Sequence, residues 1–233
     1  MPVAIVTGAS RGFGRAMAHA LAGRGWSLVL DARGETALRT VADALPSSRT
    51  VALAGDVADA DHRAALVGAA ERFGGLDLLV NNASELGPSP LPELAAYPVE
   101  ELASLYATNV FAPLALAQAA LPLLLARGGT IVNVSSDAGA EAYAGWGGYG
   151  SSKAALDHLS KVLAVEQPSL RVHAFDPGDM RTEMHQRAFP GQDISDRSEP
   201  ETVVPALLRL LDERPASGRY RAAELLVAAE VVR

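Results

Sequence analysis

No cysteine occurs anywhere in the 233 residues, which excludes a disulfide framework, a thiolate metal site and a cysteine nucleophile. No metal site is read from the rest of the chain, and the absence of thiols fits a cytoplasmic setting. Positive charge is also scarce: 20 Lys and Arg stand against 27 Asp and Glu, a formal net charge of −7. A protein that tracks nucleic-acid phosphates usually carries a basic patch, so no nucleic-acid partner is expected. Met1-Pro2-Val3-Ala4-Ile5-Val6 lacks a basic stretch ahead of its apolar run, so no secretory signal is read there. The longest apolar stretch, Ala112–Ala126, is interrupted by Pro113, Gln118 and Pro122 and reads as too short to span a bilayer. No membrane partner is expected. Internal repeats and low-complexity linkers are missing as well.

What is present is an ordinary globular mixture, 49% apolar and 20% charged. The length suits a single domain over residues 1–233 with one well-buried core. Candidate strands are Val3–Val6, Leu28–Leu30, Val51–Ala54, Leu78–Val80, Thr130–Val134, Val172–Phe175 and Leu225–Ala228. They are apolar almost throughout, as strands covered on both faces are. Between them run helical stripes: Leu66, Ala69, Ala70 and Phe73, and then Ala155, Leu159, Val162 and Leu163. Pro168 should close the second of these helices. Alternating strand and helix predicts an α/β fold, a parallel sheet wrapped by helices. Thr182–Pro200 breaks the rhythm with Pro190, Gly191 and Pro200. A structureless loop of that length after a strand end reads as a substrate lid.

Val3–Val6 leads into Thr7-Gly8-Ala9-Ser10-Arg11-Gly12-Phe13-Gly14 and then a helix. Glycines there allow a tight turn that brings backbone N–H groups to a pyrophosphate at the helix N-terminus. The spacing differs from G-x-G-x-x-G, and no lysine follows the last glycine, so a triphosphate loop fits poorly. Gly8-Ala9-Ser10-Arg11-Gly12 also satisfies the G-x-S-x-G elbow of α/β-hydrolases, with Ser10 as nucleophile. That alternative needs a histidine base. His19, His62 and His158 fall on expected helices and His173 in a strand, which leaves His185.

Thr7-Gly8-x-x-x-Gly12-x-Gly14, Asn81-Asn82-Ala83, Ser136, Tyr149-x-x-x-Lys153 and Pro177-Gly178 together resemble the short-chain dehydrogenase/reductase family. The resemblance runs strongly from Val3 to about Gly178. It implies a Rossmann-type, doubly wound sheet of about seven parallel strands with a nicotinamide cofactor across their carboxyl ends. It implies oxidoreduction of a small-molecule carbonyl or alcohol. Catalytic roles fall to Ser136, Tyr149, Lys153 and Asn109, with Ser135 the adjacent alternative to Ser136. Tyr149 and Lys153 are four apart and share a helix face. A free tyrosine titrates near 10. A neighbouring ammonium and the positive nicotinamide ring are expected to lower that value, making Tyr149 the general acid or base. Lys153 also meets the ribose of the cofactor, and Asn109 is expected to hold a water joining Lys153 to solvent.

The cofactor set implied is Gly8, Ser10, Arg11, Gly12, Phe13, Gly14, Arg33, Asp56, Val57, Asn82, Ala83, Tyr149, Lys153, Pro177, Gly178 and Thr182. Asp56-Val57 resembles the adenine-binding pair, and Thr182 is expected to bond the nicotinamide carboxamide. NAD binders of the family usually place an acid where Ala32 stands. Ala32, followed by Arg33 and helped by Arg11, favours the 2′-phosphate of NADP(H). Asp31 is discordant: facing the ribose, it would make NAD(H) possible. Ser84 replaces the usual glycine after Asn82-Ala83. The expected substrate pocket is Ser84–Leu86, Ala138, Tyr143, Trp146 and the 182–200 lid. A homo-oligomer, dimer or tetramer, is left open: Leu114–Leu125 is apolar enough for an interface, but the sequence stops at Arg233 without the tail of tetrameric relatives. A cofactor-binding redox regulator without turnover is the competing function; the intact Ser136–Tyr149–Lys153 set speaks against it.

Overall fold

The computed structural model describes residues 1–230, so Arg233 lies outside the described residues. In chain order they form β1 (Val3–Val6), α1 (Gly12–Gly23), β2 (Ser27–Ala32), α2 (Glu35–Asp43), β3 (Thr50–Ala54), α3 (Ala60–Arg72) and β4 (Leu78–Asn81). Next come α4 (Val99–Tyr106), a π-helical turn at Ala107–Phe111, α5 (Ala112–Arg127), β5 (Thr130–Val134), α6 (Gly147–Glu166) and β6 (Arg171–Asp176). The chain closes with α7 (Glu183–Ala188), α8 (Pro200–Glu213), β7 (Gly218–Arg221) and α9 (Ala222–Glu230). Among the described residues the seven strands make one sheet in the order β3-β2-β1-β4-β5-β6-β7, and every pairing is parallel. The strand order reverses between β1 and β4, and a crevice opens at the carboxyl ends of the strands flanking such a switch point.

Alternation along the strands builds two apolar layers. Ala4, Val6, Leu28, Leu30 and Val80 join Met17 and Leu21 of α1 and Val203 and Leu207 of α8. Val3, Ile5, Val29, Leu79 and Ile131 join Leu66, Ala69 and Ala70 of α3 and Leu116, Ala120 and Leu124 of α5. Each fully buried branched side chain contributes about 1.5–3 kcal/mol, so the sheet is stabilised from both faces and holds the crevice rigidly.

Four expectations are corrected. Leu225–Ala228 is not the last strand: it lies in α9, and the strand is the preceding Gly218–Arg221. As an edge strand with only β6 beside it, β7 carries polar residues and no apolar run, so hydrophobicity pointed past it. The stripe Ala155, Leu159, Val162 and Leu163 is not the buried face of α6; that face is Ser152, Lys153, Leu156, Asp157 and Ser160. Polar side chains are tolerated there through partners on neighbouring elements, as Ser160 accepts from Asn133 Nδ2 at 2.8 Å. The helical run Val99–Arg127, 29 residues, is long and apolar enough to cross a membrane by length and composition, which overturns the reading of its apolar part as too short. In this fold it is a core helix, its inner side packed on α3, β4 and β5. The 182–200 segment is not structureless: it contains α7 and is pinned by a bridge between Met180 and Ser198.

Candidate active site

The turn from β1 into α1 is clamped from β4. Thr7 Oγ1 accepts the backbone N–H groups of Asn82 and Ala83, both at 2.9 Å. Asn82 Nδ2 donates to the carbonyls of Thr7 (2.9 Å) and Gly8 (3.2 Å). Gly8 has φ +64°, the left-handed region. A Cβ at Gly14 would strike the Gly8 carbonyl and the Asn82 amide. The loop is thus pressed flat against β4, and the first-turn N–H groups of α1, without intrahelical partners, are left for an anion. Arg11 and Arg33, both well exposed, pair with Glu183 of α7 and Glu85 respectively.

The other end is built from β5 and the first turns of α6. Ser136 Oγ donates to Asp137 Oδ1 at 3.0 Å and accepts from the N–H of Ala138 at 3.2 Å. Lys153 is buried, donates to the Val134 carbonyl at 2.8 Å, and lies 5.4 Å from the centre of the Tyr149 ring. Burial lowers its pKa to about 8, against a smaller upward pull from Asp157. Burial also pushes the Tyr149 phenol well above 10, with hydrogen bonds to Ser84 and Ser136 opposing and Asp176 and Asp137 adding to the rise. The expected lowering by the ammonium is therefore not found in the protein alone. Lys153 directs one N–H to the Val134 carbonyl, and desolvation of the buried phenol outweighs the effect of the cation.

Asn109, in the π-helical turn, makes four bonds. Its Oδ1 accepts from Glu85 N–H (2.8 Å) and Ser84 Oγ (3.2 Å); its Nδ2 donates to the Glu85 carbonyl (2.9 Å) and Ser152 Oγ (3.1 Å). It ties the β4 loop to α6, and π-helical bulges are frequent at functional sites.

These elements enclose one cleft of about 1090 Å³. The expected Gly8, Ser10, Arg11, Gly12, Phe13, Arg33, Asp56, Val57, Asn82, Ala83, Ser136, Tyr149, Lys153, Pro177, Gly178 and Thr182 all line it. So do the expected substrate-side residues Ser84, Glu85, Leu86, Ala138, Tyr143 and Trp146. Gly14 and Asn109 stand behind the wall rather than in it. Thr182 caps α7, its Oγ1 accepting from His185 N–H at 3.2 Å. Among the described residues Ser10 has no hydrogen bond to a histidine, and His185 Nε2 accepts from Arg197 at 3.4 Å, so no nucleophile–base pair forms for the hydrolase alternative.

A model of the short chain dehydrogenase family matches residues 2–193. The chain belongs to the short-chain dehydrogenase family. It is accordingly an oxidoreductase acting on a CH–OH or C=O group. Rat sepiapterin reductase is 38% identical over 202 residues, 80% of this chain and 77% of its own. An uncharacterized oxidoreductase of Mycobacterium tuberculosis is 37% identical over 186 residues, 77% of this chain and 70% of its own. A short-chain dehydrogenase from Shigella flexneri, solved in complex with NADP, has a TM-score of 0.88 at 32% identity, covering 95% of this chain and 97% of that one.

In this short-chain dehydrogenase two side chains behind the cleft wall escaped the motif reading. Arg219 of β7 bonds Asp157 Oδ2 (3.1 Å), Asp176 Oδ2 (2.9 Å) and the Ser136 carbonyl (3.0 Å). His62 of α3 meets Asp31 at 2.6 Å. Both contacts join residues at least 31 apart in sequence, and no local spacing signals them.

Proposed function

We propose that the chain is an NADP(H)-dependent carbonyl reductase or alcohol dehydrogenase in which Tyr149 moves the substrate proton. The carrying observation is one cleft with buried Tyr149 and Lys153 at one end and two guanidiniums, Arg11 and Arg33, at the other. The residues present fit a dinucleotide. The loop is flattened by Gly14 against Gly8, and Ala32 leaves no acid on its face of β2. A bound nicotinamide supplies or takes the hydride. Ser136 and Tyr149 hydroxyls hold the substrate oxygen, and Tyr149 donates its proton in reduction or removes it in oxidation. Lys153 favours the phenolate by its charge, and Arg11 and Arg33 exchange their carboxylate partners for the 2′-phosphate.

NADPH and NADH consumption over a carbonyl panel tests this reading. NADPH is expected to be used in preference, and Arg33→Ala is expected to weaken NADPH binding about tenfold while leaving NADH nearly unchanged. Equal use of both, or unchanged NADPH affinity in the variant, refutes the cofactor assignment.

A pH profile follows from Lys153. Its pKa of about 8 means that the ammonium is lost as pH rises through that value, so kcat/KM is expected to fall on the alkaline side of about 8. The native state holds this proton less tightly than the unfolded chain, whose lysine stays charged to 10.5. Lys153 therefore adds relative stability between about 8 and 10.5, and unfolding does not explain the lost activity. A rate that stays flat to pH 10 in initial-velocity measurements contradicts the role given to Lys153.

A further inference from the structure

β2 ends with two side chains on opposite faces of the sheet. Ala32 joins the layer of α1, whereas Asp31 turns toward α3. Asp31 is 1% exposed, yet it borders the cleft beside Ala32, Arg33 and Asp56. A carboxylate at this strand end is chemically an acceptor for ribose hydroxyls, and its charge opposes a 2′-phosphate. Here it already has a partner. His62 Nε2 lies 2.6 Å from Asp31 Oδ1, with side chains only 10% and 2% exposed.

The histidine is held for that contact. Asp59 caps α3 and accepts from the backbone N–H of His62 at 3.3 Å. The imidazole lies over Gly55, where any Cβ would collide with the ring. Burial raises the pKa of Asp31, while His62 and the Gly8 N–H pull it back and Asp56 pushes it up. Imidazole is therefore the nearby group that both satisfies and offsets this carboxylate.

Resting on the NADP reading above, we propose that His62 is a positioning residue for cofactor choice. It binds Asp31 from behind the cleft wall, takes the carboxylate away from the ribose hydroxyls, and so lets a 2′-phosphate settle at Arg33 and Arg11. Neither guanidinium touches His62, and His62 does not line the cleft.

Equilibrium binding of NADPH and of NADH is measured for the wild type, His62→Leu, His62→Gln, Asp31→Ser and the His62→Leu/Asp31→Ser pair. His62→Leu is expected to lower the NADPH-over-NADH preference about tenfold, the worth of one charge-assisted hydrogen bond. His62→Gln keeps a donor and is expected to change the preference by less than about threefold. With Ser at position 31 there is no carboxylate to hold, and His62→Leu is expected to leave the preference unaltered. A merely structural histidine would weaken both cofactors together. An unmoved preference in His62→Leu, or an equal shift in the Asp31→Ser background, overturns the proposal. Should His62→Leu fail to fold by thermal melting, His62→Asn, too short to reach Asp31, carries the same expectation. A wild type that favours NADH sinks the NADP reading instead, and the change on His62 replacement still decides this one.

Discussion

Tyr149→Phe is expected to bind NADPH within about twofold of the wild type and to lose roughly 10²–10⁴-fold in turnover, the usual worth of a positioned acid–base group. The substitution removes one oxygen and nothing else. The ring keeps its edge-on contact with Trp146, centres 5.8 Å apart at 71°, and its place in the cluster with Leu86, Ala138 and Ala188. The lost oxygen is the one whose rise in pKa Ser84 and Ser136 oppose. Burial keeps the phenol protonated, the form that reduction requires, but makes its proton harder to release, so donation relies on the charge of Lys153. For oxidation it depends on the positive charges of Lys153 and of a bound oxidised nicotinamide. Single-turnover reduction with saturating NADPH separates binding from chemistry. Near-normal turnover in the variant would remove Tyr149 as proton donor and leave Ser136 as the group to examine.

Arg219→Ala is expected to cost about 3–5 kcal/mol of folding stability, because it strands buried carboxylates. Asp157 and Asp176 have side chains 8% and 3% exposed, while Arg219 itself is 22% exposed. One guanidinium joins α6, the end of β6 and the backbone of Ser136, so its fork geometry matters as well as its charge. Lysine in its place should recover only part of the loss. Urea titration of Arg219→Ala in the wild type and in an Asp157→Asn/Asp176→Asn background checks the cause. Removal of both charges should shrink the cost to about 1 kcal/mol. If the cost is unchanged in that background, the arginine acts by packing its stem and not by compensating charge. Turnover should fall too, because Ser136 loses the donor that fixes its carbonyl.

Legibility in the sequence followed the range of the interactions. The glycine loop and Tyr149-x-x-x-Lys153 are local devices, spaced by a turn and by one helical repeat, so residue order alone exposes them. Six of the seven strands were visible because strands covered on both faces must be apolar. β7 was not, since an edge strand of Gly218–Arg221 escapes that requirement and the apolar Leu225 beyond it belongs to a helix. The buried face of α6 was missed for a related reason. It is polar, and only its partners on β5 and β7 make burial of Lys153, Asp157 and Ser160 tolerable.

The opening absences kept part of their force. Without cysteine the chain can have neither a thiolate metal site nor a cysteine nucleophile. Fold and reaction class were determined by sequence, through periodicity and motif spacing that act within a few residues. The state of the working groups was decided by tertiary structure. A motif states which side chain is present; the neighbours brought up by the fold set its charge, its pKa and its partner. They put Lys153 on Val134, lifted the Tyr149 phenol by burial, joined Arg219 to two acids and gave Asp31 to His62. Desolvation and pairing are properties of three-dimensional surroundings, and contacts between residues dozens of positions apart leave no local trace in the order of the chain.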